Sequence, residues 1–268
     1  MFGSLRFIVG EGGVAVLYFS YRLIQFPLGV FSNAFSQAIL PTLSTQVLEE
    51  EGEKLKDTLL FGLRMTFLVL LPATVLFIVL SEPIIRVIFQ GGRFDAYSTR
   101  MTSDALSCYS IGLCAYGATK ILQQCFFALK DTVTPAKISA LALVVNIILN
   151  VMLMFPLKLS GLALATSLSG INTFCILLFI LRKRLKSFRL KPLVVSFGRM
   201  LIASIGMGLI CYFISRTVIF PGRGIVVGGL TVGLPIIAGL VSYICFCFTF
   251  NVTELHELLA WCKKKKVA

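Results

Sequence analysis

Acidic residues are scarce in this sequence: twelve Asp and Glu stand against twenty-five Lys and Arg. No apolar stretch holds a pair of them, so paired-carboxylate acid–base chemistry has no place to reside. Walker loops and GxSxG or HExxH patterns are absent. The one histidine, His256, falls in an amphipathic terminal stretch, TELHELLAWC, where a solvated face explains it better than catalysis. The eight cysteines (Cys108, Cys114, Cys125, Cys175, Cys211, Cys245, Cys247 and Cys262) include no CxxC pair and lie mostly in apolar blocks. They read as small buried hydrophobes and not as a metal or disulfide framework. These absences argue against an enzyme and imply neither a cofactor nor a metal.

What is present is apolar. Hydrophobic residues make up 57% of the chain and charged residues 14%, with a mean hydropathy of +0.92; soluble domains run at roughly 45–50% and about 25%. The apolar residues come in blocks of about 20 separated by short polar runs, the pattern of helical spans and not of barrel strands. Lipid offers backbone groups no partner, so every span should be a helix. The expected fold is an all-α integral membrane protein with seven full transmembrane helices plus a partial N-terminal one. The net charge of +13 does not indicate nucleic acid, because the bases gather at span ends without an aromatic-interleaved basic face.

The opening MFGSLRFIVGEGG is too short to span and lacks a clear cleavage site. Residues 1–12 read as the remnant of a preceding helix. Spans are expected at about Gly13–Leu43, Leu59–Leu80, Met101–Leu129, Pro135–Met154, Leu159–Leu181, Leu193–Ile214 and Ile225–Phe250. Between them, LEEEGEKLKD suits a short surface helix, IIRVIF an interfacial helix and Gln90-Gly-Gly-Arg93 a turn. The spacings Gly224/Gly228 and Gly229/Gly233 would permit close helix packing. Residues 13–185 then hold five spans, 186–250 two more, and 251–268 a basic amphipathic tail. Asn251-Val-Thr253 matches a glycosylation sequon, read as chance at a cytoplasmic span end. Fourteen loop bases fall on one side of the membrane and six on the other. The positive-inside rule makes the richer side, with the C-terminus, cytoplasmic. The charge runs are topology signals first and contacts for anionic lipids second.

Polar groups inside spans carry the functional reading. Arg22 is the first candidate, because buried charge in a membrane helix usually faces a cavity or a substrate path. Pro27, with Gly29 two residues on, gives that long first span a place to bend. Lys120 is a second intramembrane base, close enough to the cytoplasmic end to snorkel there. Asn146 and Asn150 lie one helical turn apart, as do Leu162 and Thr166. Their oxygens can hold a monovalent cation or bond between helices.

Two segments resemble a known family. YRLIQFPLGVFSNAFSQAILPTLS is similar to the ADRLxxxPLGVxxxAxxTxLLPxLS segment of the MurJ/MviN lipid II flippases, and CFFALKDTVTPAKI to their FYAxxDTxTPxKI. The turn QGGRFDA and the link PLKLSGLALATS fit as well. The resemblance covers Gly10–Leu185 closely and the last two spans by pattern. It aligns with the second half of a fourteen-helix transporter. This implies one lobe of a MOP/MATE-like transporter plus two extra helices, with the N-terminal half missing, in the bacterial inner (plasma) membrane. The function implied is movement of lipid II to the outer leaflet by alternating access. Arg22 falls on the family's cavity arginine, and Tyr21 stands where an acidic residue commonly precedes it. Asn146, Asn150, Leu162 and Thr166 fall where some members bind sodium, with Asn150 in place of an aspartate. The alternatives are a drug or polysaccharide exporter of the same superfamily, a non-transporting scaffold, or an inactive fragment.

Overall fold

The computed structural model describes residues 12–91, 94–185, 188, 190–217, 225–252 and 254–255, without the side chains of 225–228. Among these the chain is helical, and the strand-like pairing present is an isolated Gly91–Phe94 bridge. The order is α1 Gly13–Pro27, a π-helical segment Leu28–Asn33, α2 Ala34–Leu48, α3 Gly52–Val79, α4 Ser81–Phe89, α5 Ala96–Ile111, α6 Leu113–Ala128, α7 Val133–Arg184, α8 Lys191–Thr217 and α9 Ile225–Thr249. Five runs are long and apolar enough to cross a membrane. The seven expected crossings are distributed unevenly over them: α7 carries two, and α5 with α6 in series carries the one outside the five.

The first expected span continues to Leu48. Pro27 does not break it, and both Pro27 and Leu28 keep right-handed dihedrals. The helix continues past it through a π-helical stretch of six residues. Such insertions are rare and frequently sit at functional sites. LEEEGEKLKD does not form a helix of its own. Glu50 turns the chain at φ 57° and α3 starts at Gly52, so Glu53 to Asp57 become the first turns of a continuous 28-residue helix. The third expected span is divided at Gly112 into two 16-residue helices.

The fourth and fifth spans form one 52-residue helical run that reverses at Lys158, where φ is 50° and ψ −125°. The Ser169 hydroxyl donates to the Ala142 carbonyl at 2.8 Å, 27 residues away, so the two arms lie antiparallel. IIRVIF falls in α4 as a short helix, as expected. The described residues of the glycine turn close it with a Gly91–Phe94 bridge, Gly92 and Arg93 lying outside the description.

Helix association in lipid draws on close packing and interhelical hydrogen bonds, since tails are as apolar as leucine. Of the expected spacings, Gly224/Gly228 lies outside what is described, and at Gly229/Gly233 the close approaches fall elsewhere. A Cβ built on Gly229 or Gly233 meets nothing within 4 Å, whereas one on Gly208 lies 2.5 Å from Val75 and one on Gly239 2.3 Å from Cys211. Pro72 in α3 cannot donate to the Leu68 carbonyl, and the Tyr243 hydroxyl of α9 does so at 2.9 Å. At the Gly112 break the carbonyls of Cys108 and Tyr109 accept from Ser167 at 2.7 and 3.1 Å. The two extra helices therefore dock on α3, and α7 docks on the α5–α6 junction. Cys125, Cys211 and Cys247 are buried as expected, while Cys175 and Cys245 face outward.

Candidate functional site

A cavity of about 460 Å³ opens between α1, α6 and the two arms of α7. α1 contributes Tyr21 and Gln25, the π-helical segment contributes Leu28 on the same stripe, and α6 contributes Tyr116, Thr119, Lys120 and Gln123. Asn146 of the first α7 arm and Thr166 of the second complete the polar lining, with Ser139, Ser169 and Thr173 around them. Lys120 is the charged residue of that lining, and no carboxylate is among its members.

The π-helical segment explains how Lys120 is held. Its Ser32 donates to the Gly117 carbonyl at 3.2 Å, and its Asn33 side-chain oxygen accepts from the Lys120 ammonium. Gly117 allows the contact, since a Cβ there would lie 2.1 Å from Leu70 and 3.3 Å from the Ser32 hydroxyl. The half-buried Lys120 thus reaches Asn33 within the lobe.

Arg22 lies apart from this cavity. It is exposed, its polar contact is the Tyr18 hydroxyl at 3.4 Å, and no ion pair involves it among the described residues. Its neighbour Tyr21 lines the cavity and meets the Tyr109 ring edge-on at 5.6 Å. The structure therefore brings Lys120, Asn146 and Thr166 together and leaves Arg22 on the open side of α1.

The four expected cation ligands are only partly gathered. Asn150 donates to Asn146 at 2.9 Å and its own side-chain oxygen is buried without a partner. Thr166 donates to the Leu162 carbonyl at 3.0 Å. Asn146 and Thr166 line the cavity; Asn150 and Leu162 lie outside its lining. Of the hinge pair, Pro27 is buried at the α1–π boundary and Gly29 is exposed, with nothing within 4 Å of a built Cβ.

The DTVTP motif has a structural job that sequence reasoning missed. Asp131 accepts from the Thr134 backbone N–H at 3.0 Å and from its hydroxyl at 2.8 Å, capping α7, and it also pairs with Arg184 at the other end of that hairpin. The aspartate and threonine three apart, just before a proline, are the signal that could have found the cap. The Thr134 backbone and hydroxyl donors, then Arg184, hold the Asp131 carboxyl at about 2, below its ordinary 3.8. A lowered carboxylate value stabilises the fold above the unfolded value and ceases to as pH falls through the folded one. In nonionic detergent the melting-temperature gap between the wild-type chain and Asp131→Asn should be constant above about pH 5, narrow from about pH 4 and close near pH 2. A gap that persists unchanged at pH 2 would refute the clamp.

The contacts also sort the chain's ends. Gln46 meets Thr58, Asp131 meets Arg184, and Arg64, Ser196 and Arg199 meet the residues after α9. At the opposite end Phe19, Phe89 and Phe94 cluster. Lys186, Arg189, His256 and the lysine run 263–266 lie outside the described residues, as do residues 1–11.

Comparison with known proteins gives a consistent result. The chain is 34% identical over 209 residues to the probable lipid II flippase MurJ of Haemophilus influenzae, covering 75% of this chain and 41% of that one. It is 34% identical over 251 residues to the probable lipid II flippase MurJ of Thermotoga maritima, covering 92% and 48%. A solved structure of a lipid II flippase MurJ in an inward closed conformation superposes with a TM-score of 0.74 at 26% identity, over 88% of this chain and 47% of that one. The chain thus spans about half the length of the curated relatives it matches. The family model for lipid II flippase MurJ matches residues 4–226, and on that match the chain belongs to the lipid II flippase MurJ family.

Proposed function

We propose that this chain is the C-terminal half of a transporter that moves lipid II, the undecaprenyl-pyrophosphate-linked peptidoglycan precursor, across the bacterial inner membrane by alternating access. The observation that carries the reading is the exposed Arg22 on α1, a guanidinium without an ion pair among the described residues. A planar guanidinium suits a pyrophosphate, which it can meet with two parallel hydrogen bonds. Lys120 brings a second positive charge, set inside the lobe.

Half of a rocking transporter has one wall, because these folds work by moving one repeat against another. The N-terminal half is therefore the partner this reading requires, beside lipid II and the surrounding lipids, with the basic C-terminal tail cytoplasmic. Pro27 and the π-helical segment supply a place where the α1–α2 run can flex. Transport, and no catalysed reaction, is the activity assigned. No cation coupling is assigned to Asn146, Asn150, Leu162 and Thr166, since Asn150 and Leu162 lie outside the cavity lining and Lys120 sets a positive charge in the lining with the other two.

The test is rescue of cells depleted of their own lipid II flippase by this chain expressed with its N-terminal half, scored by outer-leaflet lipid II. Arg22→Ala should abolish rescue at unchanged membrane abundance, and Arg22→Lys should retain part of it. Full rescue by Arg22→Ala would remove the headgroup assignment.

A further inference from the structure

α3 runs as one helix through Pro72, although proline has no N–H to give the Leu68 carbonyl four residues earlier. The donor comes from another helix instead: the Tyr243 hydroxyl of α9 reaches Leu68 at 2.9 Å, and both residues are buried. The two extra helices also hold the residues that follow the proline. A Cβ on Gly208 of α8 would lie 2.5 Å from Val75 and 3.5 Å from Val79, and one on Gly239 of α9 would lie 3.8 Å from Leu76. α8 and α9 thus grip α3 on both sides of Pro72, the kind of place where a helix bends.

Thr66, Leu70 and Thr74, each four residues from the next, form the other face of α3 and meet α6. This contact straddles the proline too. A Cβ on Gly117 would collide with Leu70 and lie 3.0 Å from Thr66, before Pro72, while the Thr74 hydroxyl lies 3.5 Å from the Cys114 sulfur, after it. A change of bend at Pro72 must therefore shift Cys114 relative to Gly117. The next turn of α6 carries Lys120, held by Asn33.

We propose that Tyr243 is a positioning residue: its hydroxyl stands in for the amide that Pro72 lacks, so the docking of α9 fixes the bend of α3 and, through it, the seating of the α6 turn that carries Lys120. Pro72 makes α3 pliable, and α9 holds it in one shape. Burial makes the bond count, because a carbonyl in a dry interior has no water to turn to. This role goes beyond the transport reading and does not rest on it, since it concerns how one wall is held, whatever crosses beside it.

The experiment is a double-mutant cycle on the purified 268-residue chain in a nonionic detergent, read by thermal unfolding and by amide hydrogen exchange. Tyr243→Phe keeps the ring and removes the donor. It should lower the melting temperature by several degrees and speed exchange several-fold at Ala73–Leu76 and at Cys114–Lys120, with the first arm of α7 unchanged. Pro72→Ala supplies the missing N–H, so in that background Tyr243→Phe should change little in either readout. An equal effect of Tyr243→Phe with and without Pro72→Ala would make the hydroxyl an ordinary anchor and overturn the role. Unchanged exchange in α3, acceleration confined to α3, or uniform acceleration along the whole chain would each overturn it as well. Should Tyr243→Phe fail to fold, folding of Pro72→Ala/Tyr243→Phe upholds the substitution of hydroxyl for amide, and failure of both refutes it. Arg22→Ala leaves these readouts untouched, so the two proposals fail separately.

Discussion

Gly161→Ala should melt the α7 hairpin, lowering the stability of the purified chain by about 3 kcal/mol, the upper end of the usual range for overpacking. A Cβ at position 161 would lie 2.1 Å from the Leu153 carbonyl oxygen and 2.7 Å from its carbon. Both atoms are backbone, so no rotamer change relieves the clash and the turn at Lys158 must open. That turn sets the antiparallel approach of the two arms, and through Ser169–Ala142 and Ser167 it sets how α7 meets α5 and α6. The control is Gly198→Ala in α8, where a Cβ meets nothing within 4 Å. That change should be neutral or stabilise by about 0.5–1 kcal/mol through helix propensity. Thermal unfolding of both variants in one detergent reads the contrast. Equal shifts would mean that the Lys158 turn is not under steric control.

Arg64→Leu should cost a comparable amount, about 3 kcal/mol, by removing a cation 3.5 Å from a buried carboxylate. Glu254 is 1% exposed; Arg64 lies 3.5 Å from its oxygen and Ser196 donates to the same oxygen at 2.6 Å. The three side chains come from α3, α8 and the residues after α9, so the cluster pins the two extra helices to the lobe. Removing one partner of such a pair weakens what offsets the other's buried charge, whereas replacing both by apolar groups is often neutral. The double variant Arg64→Leu/Glu254→Leu should therefore recover most of the loss. A double variant as unstable as Arg64→Leu alone would assign the effect to lost packing of the arginine stem.

The helices and their chemistry were legible in different degrees. Long apolar blocks with bases at their ends declare spans, because lipid forces every backbone group into a helix. Arg22, Lys120 and the paired asparagines stood out for the same reason, being polar where polarity is expensive. Segment ends were harder to read. LEEEGEKLKD has the composition of a free surface helix, yet it continues into α3 because nothing after Gly52 interrupts the helix. Gly229 and Gly233 have the spacing of a packing motif, but Gly208 and Gly239 make the contacts, since spacing does not say which face meets a neighbour.

Sequence by itself determined that the chain is a helical membrane protein and which family it resembles. Those conclusions depend on composition and local pattern, which act residue by residue. Tertiary structure alone decided that Lys120, Asn146 and Thr166 share one cavity while Arg22 faces away from it, that Asp131 closes a hairpin on Arg184, and that Tyr243 replaces the hydrogen bond Pro72 forgoes. Each of those links joins residues many positions apart. Their meeting is set by helix rotation, by the π-helical step after Pro27 and by the turn at Lys158, none of which is encoded in the identity of the residues that meet.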